Sequence, residues 1–148
     1  MKLESVTPEE TKKLAQRLAL RLGGGELITL IGPLGSGKTT FAQGLAEGLG
    51  SEVGASSPTF VLERRYPGRL ELVHLDLYRL EDDREVEMMV GEAVNEESAV
   101  AVEWADRFPK IFEEKDRLEI RFKIGEQVHT LDFKAVGPRS RELVGDLE

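Results

Sequence analysis

The chain has 148 residues, 40% of them hydrophobic, which suits one sheet-centred core and is too short for two independent domains. With 20 basic against 28 acidic residues the formal charge is −8, which argues against a broad nucleic-acid-binding face and leaves any RNA to a partner. The absence of cysteine excludes disulfides, thiolate metal sites and thiol nucleophiles. No run approaches the ~18 consecutive apolar residues of a membrane span. Met1-Lys2-Leu3-Glu4-Ser5 lacks the apolar core of a signal peptide, so a cytoplasmic protein is expected.

Taken in chain order, Thr7-Pro8-Glu9-Glu10 reads as a helix start, with Thr7 as N-cap and Pro8 in the first turn. Leu14, Ala15, Leu18, Ala19 and Leu22 give that helix one apolar face until Gly23-Gly24-Gly25 stops it. Leu27 to Ile31 is a short, partly β-branched run suited to a buried parallel strand, and a helix follows from Thr39 to about Leu49. Thr59 to Arg65 and Leu70 to Leu75 read as antiparallel strands around the turn Tyr66-Pro67-Gly68-Arg69. Glu81 to about Glu97 reads as a helix whose Val86, Met89, Val90 and Ala93 enter the core. Ala99 to Val102 is a second buried strand, and Arg117 to Lys123 with Gln127 to Ala135 form a hairpin. The expected fold class is therefore α/β: a mixed sheet flanked by helices, with antiparallel hairpin segments. One domain is expected over residues 1–137, with residues 138–148 as a polar, mobile tail.

Gly32-Pro33-Leu34-Gly35-Ser36-Gly37-Lys38-Thr39 fits the phosphate-loop pattern G-x-x-x-x-G-K-[ST] between a strand and a helix. Glycines such as Gly35 and Gly37 let the backbone curl so that successive N–H groups around Leu34 to Lys38, Ser36 among them, point at an anion, and the helix N-terminus adds its positive end. The Lys38 ammonium would reach the β- and γ-phosphates, the Thr39 hydroxyl is a hard ligand suited to Mg²⁺, and Thr40 would sit near the α-phosphate. No Asn-Lys-x-Asp element for guanine appears, so ATP with Mg²⁺ is the expected cofactor pair. The segment near Thr7 is a candidate for adenine contact.

Such a loop needs an acid at the end of a neighbouring strand. Glu103 ends the run Ala99 to Val102, and Asp76 follows Val73-His74-Leu75. Glu103 is favoured as the metal-side acid, although a solvated strand-end charge is the ordinary fate of either carboxylate. His74 by itself reads as a packed or exposed imidazole. Trp104, next to Glu103, would report on the site.

Four segments stand in order: Gly32 to Phe41, Ser57-Pro58-Thr59-Phe60, His74-Leu75-Asp76-Leu77-Tyr78-Arg79-Leu80 and Val102-Glu103-Trp104. Together, over roughly Thr7 to Arg107, they resemble the TsaE family of P-loop ATPases. The resemblance implies an ATPase that joins TsaB and TsaD in making N6-threonylcarbamoyladenosine at position 37 of tRNA, with tRNA contacted through those partners. It also implies Lys38 as the P-loop lysine, Thr39 and Glu103 as metal-side groups, Asp76 as an acid needed for hydrolysis, and Ser57 to Phe60 as a switch-like loop. Ala105-Asp106-Arg107 departs from the proline that many members carry after the tryptophan.

Two other readings compete. A small-molecule kinase shares the loop but needs an acceptor pocket and usually an arginine-bearing lid, for which Arg64, Arg65 and Arg69 are candidates, although a solvated hairpin tip around Tyr66-Pro67-Gly68 accounts for them more simply. A nucleotide-gated interaction module would have negligible turnover. Since no arginine outside the loop is clearly fixed to neutralise γ-phosphate charge, turnover is expected to be weak alone and stimulated by partners.

Overall fold

The computed structural model describes residues 1–5, 7–52, 62–145 and 147. In chain order they form β1 (Lys2–Ser5), α1 (Pro8–Ala19), β2 (Glu26–Ile31), α2 (Lys38–Gly48), β3 (Glu63–Tyr66), β4 (Glu71–Asp76), α3 (Asp83–Ala93), β5 (Ser98–Glu103), a 3-10 turn (Ala105–Arg107), α4 (Pro109–Phe112), β6 (Arg117–Ile124), β7 (His129–Val136) and α5 (Pro138–Val144). Among the described residues the strands make one seven-stranded sheet, ordered β1-β7-β6-β2-β5-β4-β3.

Every residue of β2 and β5 is buried, as expected of strands covered on both faces, and both lie in the parallel centre of the sheet. There β6, β2, β5 and β4 run parallel, while β7, β1 and β3 add antiparallel edges. Alternation along the strands divides the core. Ile28, Leu30, Ala99, Ala101 and Ile120 belong to a cluster with Leu18 of α1 and Phe41 and Leu45 of α2. Leu27, Val73, Leu75, Val100 and Val102 pack with Val86 and Val90 of α3 and Phe112 of α4.

Local chemistry sets the helix ends. The Thr7 hydroxyl accepts the Glu10 N–H at 3.2 Å and Pro8 occupies the first turn, as expected for α1. After α1 the Glu26 carboxylate accepts the N–H groups of Gly23 and Gly24 at 2.7 and 2.8 Å. A Cβ on Gly24, at φ +110°, would lie 1.9 Å from the Glu96 carbonyl oxygen, so only glycine fits that turn. Gly44 and Gly48 line the face of α2 against Ala15 and Ala19 of α1, which brings the two helices close enough to lock the phosphate-loop helix onto its neighbour.

The structure departs from the sequence reading at four places. β4 is a central strand as well as half of a hairpin: it pairs antiparallel with β3 and parallel with β5, consistent with Leu72 to Leu75 all being buried. α3 is shorter than Glu81 to Glu97, because the Ser98 hydroxyl donates to the Ala93 carbonyl and the Asn95 side chain accepts the Glu97 N–H, turning the chain out of the helix. β1 was not anticipated; its four residues pair with β7 and carry no strand signal of their own.

The largest correction concerns residues 138–148. The expected polar tail contains α5, whose Leu143 is buried in the core together with Leu147. Asp116, well before it in the chain, accepts the Arg139 and Ser140 N–H groups and the Ser140 hydroxyl at 2.9, 3.0 and 2.6 Å. That carboxylate caps a helix otherwise lacking a local cap. The expected segment Ser57 to Phe60, and residues 59–61 of the expected strand, lie outside the described residues.

Candidate functional site

Leaving the sheet at Ile31, the chain turns through Gly35 at φ +77° and Gly37 at φ +106° before α2 begins at Lys38. These are conformations that side chains other than glycine rarely adopt. The Ser36 N–H donates to the Pro33 carbonyl at 3.2 Å, and Gly37 accepts the Phe41 N–H at 2.8 Å, fixing the loop on the helix. The Ser36 hydroxyl is buried and has no hydrogen-bond partner among the described residues.

Strand register brings the acids to this loop. Leu30 of β2 pairs with Glu103 of β5, and Glu103 pairs with Asp76 of β4, so both carboxylates end neighbouring parallel strands on the loop side. Glu103 is one strand from the loop and Asp76 two. The Lys38 ammonium donates to the Gly32 carbonyl at 2.6 Å, stands 4.0 Å from Glu103 Oε1 and lies 4.1 Å from the Trp104 ring centre. Burial lowers the Lys38 pKa, opposed by the negative charges of Glu103, Asp106 and Asp76. A desolvated ammonium in this position favours an anionic partner strongly.

Asp76 Oδ1 accepts the Tyr78 N–H at 3.0 Å. Burial pushes its carboxyl above the usual carboxylate range and the Glu103 charge adds to that, while the Tyr78 N–H, His74 and Lys38 oppose it. Trp104 is the one non-glycine residue with positive φ, 68°, among the described residues, and its ring lies 5.1 Å from that of Tyr78.

The phosphate-loop residues and the two acids expected from sequence line two adjoining clefts. Gly35, Ser36, Gly37, Lys38, Thr39, Thr40 and Glu103 line one cleft, bordered by Thr7, Pro8, Thr11 and His129. Thr39, Asp76 and Glu103 line an adjoining one with Leu34, Tyr78, Arg79 and Trp104. The first cleft includes the segment near Thr7 expected to approach a base. Sequence reasoning missed the partner of His74: its Nε2 lies 2.7 Å from Glu103 Oε2, with both residues buried. The available signal was the spacing, since His74 and Asp76 share one face of a strand.

The groups present fit a magnesium nucleotide. The loop carries an unpartnered buried hydroxyl, and Thr39, Glu103 and Asp76 offer hard oxygens. No cluster of three or more His, Cys, Asp or Glu side chains able to hold a metal occurs among the described residues. No described helix is long and apolar enough to cross a membrane.

A mixed sheet with a parallel centre, this loop after β2 and an acid ending the adjacent β5 define a P-loop NTPase-like fold. Residues 5–131 match the family model described as threonylcarbamoyl adenosine biosynthesis protein TsaE. The chain is 39% identical to the tRNA threonylcarbamoyladenosine biosynthesis protein TsaE of Bacillus subtilis (strain 168), across 99% of this chain and 93% of that one. It is 38% identical to the protein of the same name from Streptomyces coelicolor, across 78% and 81%. The crystal structure of Bacillus subtilis YdiB matches with a TM-score of 0.78 at 35% identity, covering 99% of this chain and 93% of that one. The chain belongs to the TsaE family.

Proposed function

We propose that this protein is the Mg²⁺-dependent ATPase component of the tRNA N6-threonylcarbamoyladenosine machinery, acting with TsaB and TsaD homologues and reaching tRNA through them. Membership of the TsaE family, whose relatives are named for that biosynthesis, supports the pathway. The observation that carries the chemistry is the convergence of Lys38, Thr39, Asp76 and Glu103 on the loop.

In this reading the loop amides and Lys38 bind the phosphates, and Thr39 with Glu103 would hold Mg²⁺. The ion, when bound, neutralises charge developing on the transferred phosphoryl group. Asp76, held by the Tyr78 N–H, orients the attacking water. Its raised pKa suits a group that must accept a proton. Leu34 and Tyr78 stand exposed beside the second cleft, so a partner covering them would exclude water from the γ-phosphate side. Slow isolated turnover and stimulation by the partner pair follow.

The kinase alternative loses two of its lid arginines. Arg65 pairs with Glu63 and Glu71 at 3.1 and 2.7 Å, and Arg69 donates to the Leu22 and Ala19 carbonyls at the end of α1, both at 2.8 Å. The test is modification of tRNA in a mixture of the TsaB and TsaD homologues with and without this chain. Wild type should support threonylcarbamoyladenosine formation and Lys38→Ala should not; formation indifferent to the chain would remove it from the pathway.

A further inference from the structure

Glu103 is held at two levels. Its backbone is fixed by pairing with Leu30 and Asp76 and by the Leu77 N–H, which donates to the Glu103 carbonyl at 3.2 Å. The sheet does not fix the side chain, whose three torsions would otherwise let the carboxylate sample several positions. His74 stops that. It projects from the face of β4 that also carries Asp76, is 1% exposed, and meets Glu103 Oε2 at 2.7 Å. Oε1 is the oxygen left toward Lys38, at 4.0 Å. In the magnesium-nucleotide reading the Lys38 ammonium serves the phosphates, whereas His74 is held in β4 with its ring on Glu103.

We infer that His74 is a positioning residue for Glu103: by holding Oε2 it presents Oε1 to the phosphate-loop cation in one orientation. The inference rests on the magnesium-nucleotide reading above. A carboxylate that ligates a metal binds better when its other oxygen is hydrogen-bonded, and loss of such a support typically weakens metal affinity about 10- to 100-fold. His74 need not touch nucleotide, and its removal should leave phosphate binding by the loop intact.

The test uses Mn²⁺ as the probe, with ADP present, and counts free ion by electron paramagnetic resonance. ADP affinity in EDTA and thermal unfolding are measured alongside. Wild type should bind Mn²⁺, His74→Leu should bind it about 10- to 100-fold more weakly, and His74→Gln, whose side-chain amide can reach as far as Nε2, should recover most of the loss. ADP affinity in EDTA should be the same for all three. If His74→Leu fails to fold, His74→Gln against His74→Asn decides, since the shorter amide cannot reach Glu103. Mn²⁺ affinity unchanged in His74→Leu, or equally poor in the Gln and Asn variants, overturns the positioning role. Wild type that binds no Mn²⁺ with ADP overturns the nucleotide reading and this inference together, and shows it without any substitution.

Discussion

The ammonium of Lys38 lies 4.1 Å from the centre of the Trp104 ring, so the chain's single tryptophan faces the charge that is to meet the phosphates. A cation over an indole face perturbs its excited state, and moving that cation onto a ligand changes the emission. Titration with ATP and Mg²⁺ should therefore change Trp104 fluorescence. A flat response alongside binding measured by calorimetry contradicts the placement of Lys38.

Lys38→Ala removes the charge that the loop amides cannot replace, and Glu103→Gln removes the acid nearest the loop. Each should lower Mg²⁺-dependent ATP turnover by about 10²-fold or more while the melting temperature shows a folded protein. Turnover within a few-fold of wild type in either variant argues against its assigned role.

Asp76 lies one strand beyond Glu103 and contacts the Tyr78 N–H. Asp76→Ala should keep ATP affinity within a few-fold of wild type and lose the partner-stimulated rate. Loss of ATP binding itself would make Asp76 a phosphate- or metal-binding group instead of a hydrolytic one.

Asp116 tests the packing of the C-terminal helix. Burial alone would raise its pKa, but the Ser140 hydroxyl, the Arg139 and Ser140 N–H groups and the Arg139 charge outweigh that and lower it. The native state thus binds fewer protons than the unfolded chain, and the stabilisation is full above the ordinary value of about pH 4 and lost as pH falls through the lowered one. Asp116→Ala should cost about 0.5–2 kcal/mol at neutral pH by removing a helix cap. Melting curves of the two proteins should converge as acid protonates the Asp116 carboxyl; a gap that stays unchanged however far the pH is lowered contradicts the charge-based account.

The loop and its acids were legible because their chemistry is local. Gly35, Gly37 and Lys38 need fixed neighbours in sequence, and Glu103 ends a strand whose apolar run announces it. What stayed hidden depends on contacts between distant segments. The His74–Glu103 pair requires β4 beside β5, and β4 looked like half of a hairpin because its pairing with β5 leaves no local mark. β1 is too short and polar to be read as a strand, and only the edge of β7 makes it one. α5 appeared as a tail because its cap, Asp116, comes from before β6, and its burial rests on Leu143 and Leu147 among polar residues.

The most direct measurement is ATP hydrolysis by the purified chain in Mg²⁺, alone and with the TsaB and TsaD homologues, for wild type and Glu103→Gln. Slow turnover alone, a clear increase with the pair, and loss of both in the variant are the expected results. Absence of ATP turnover by the wild type in both conditions, or a rate that the partners and Glu103→Gln leave unchanged, would contradict the account.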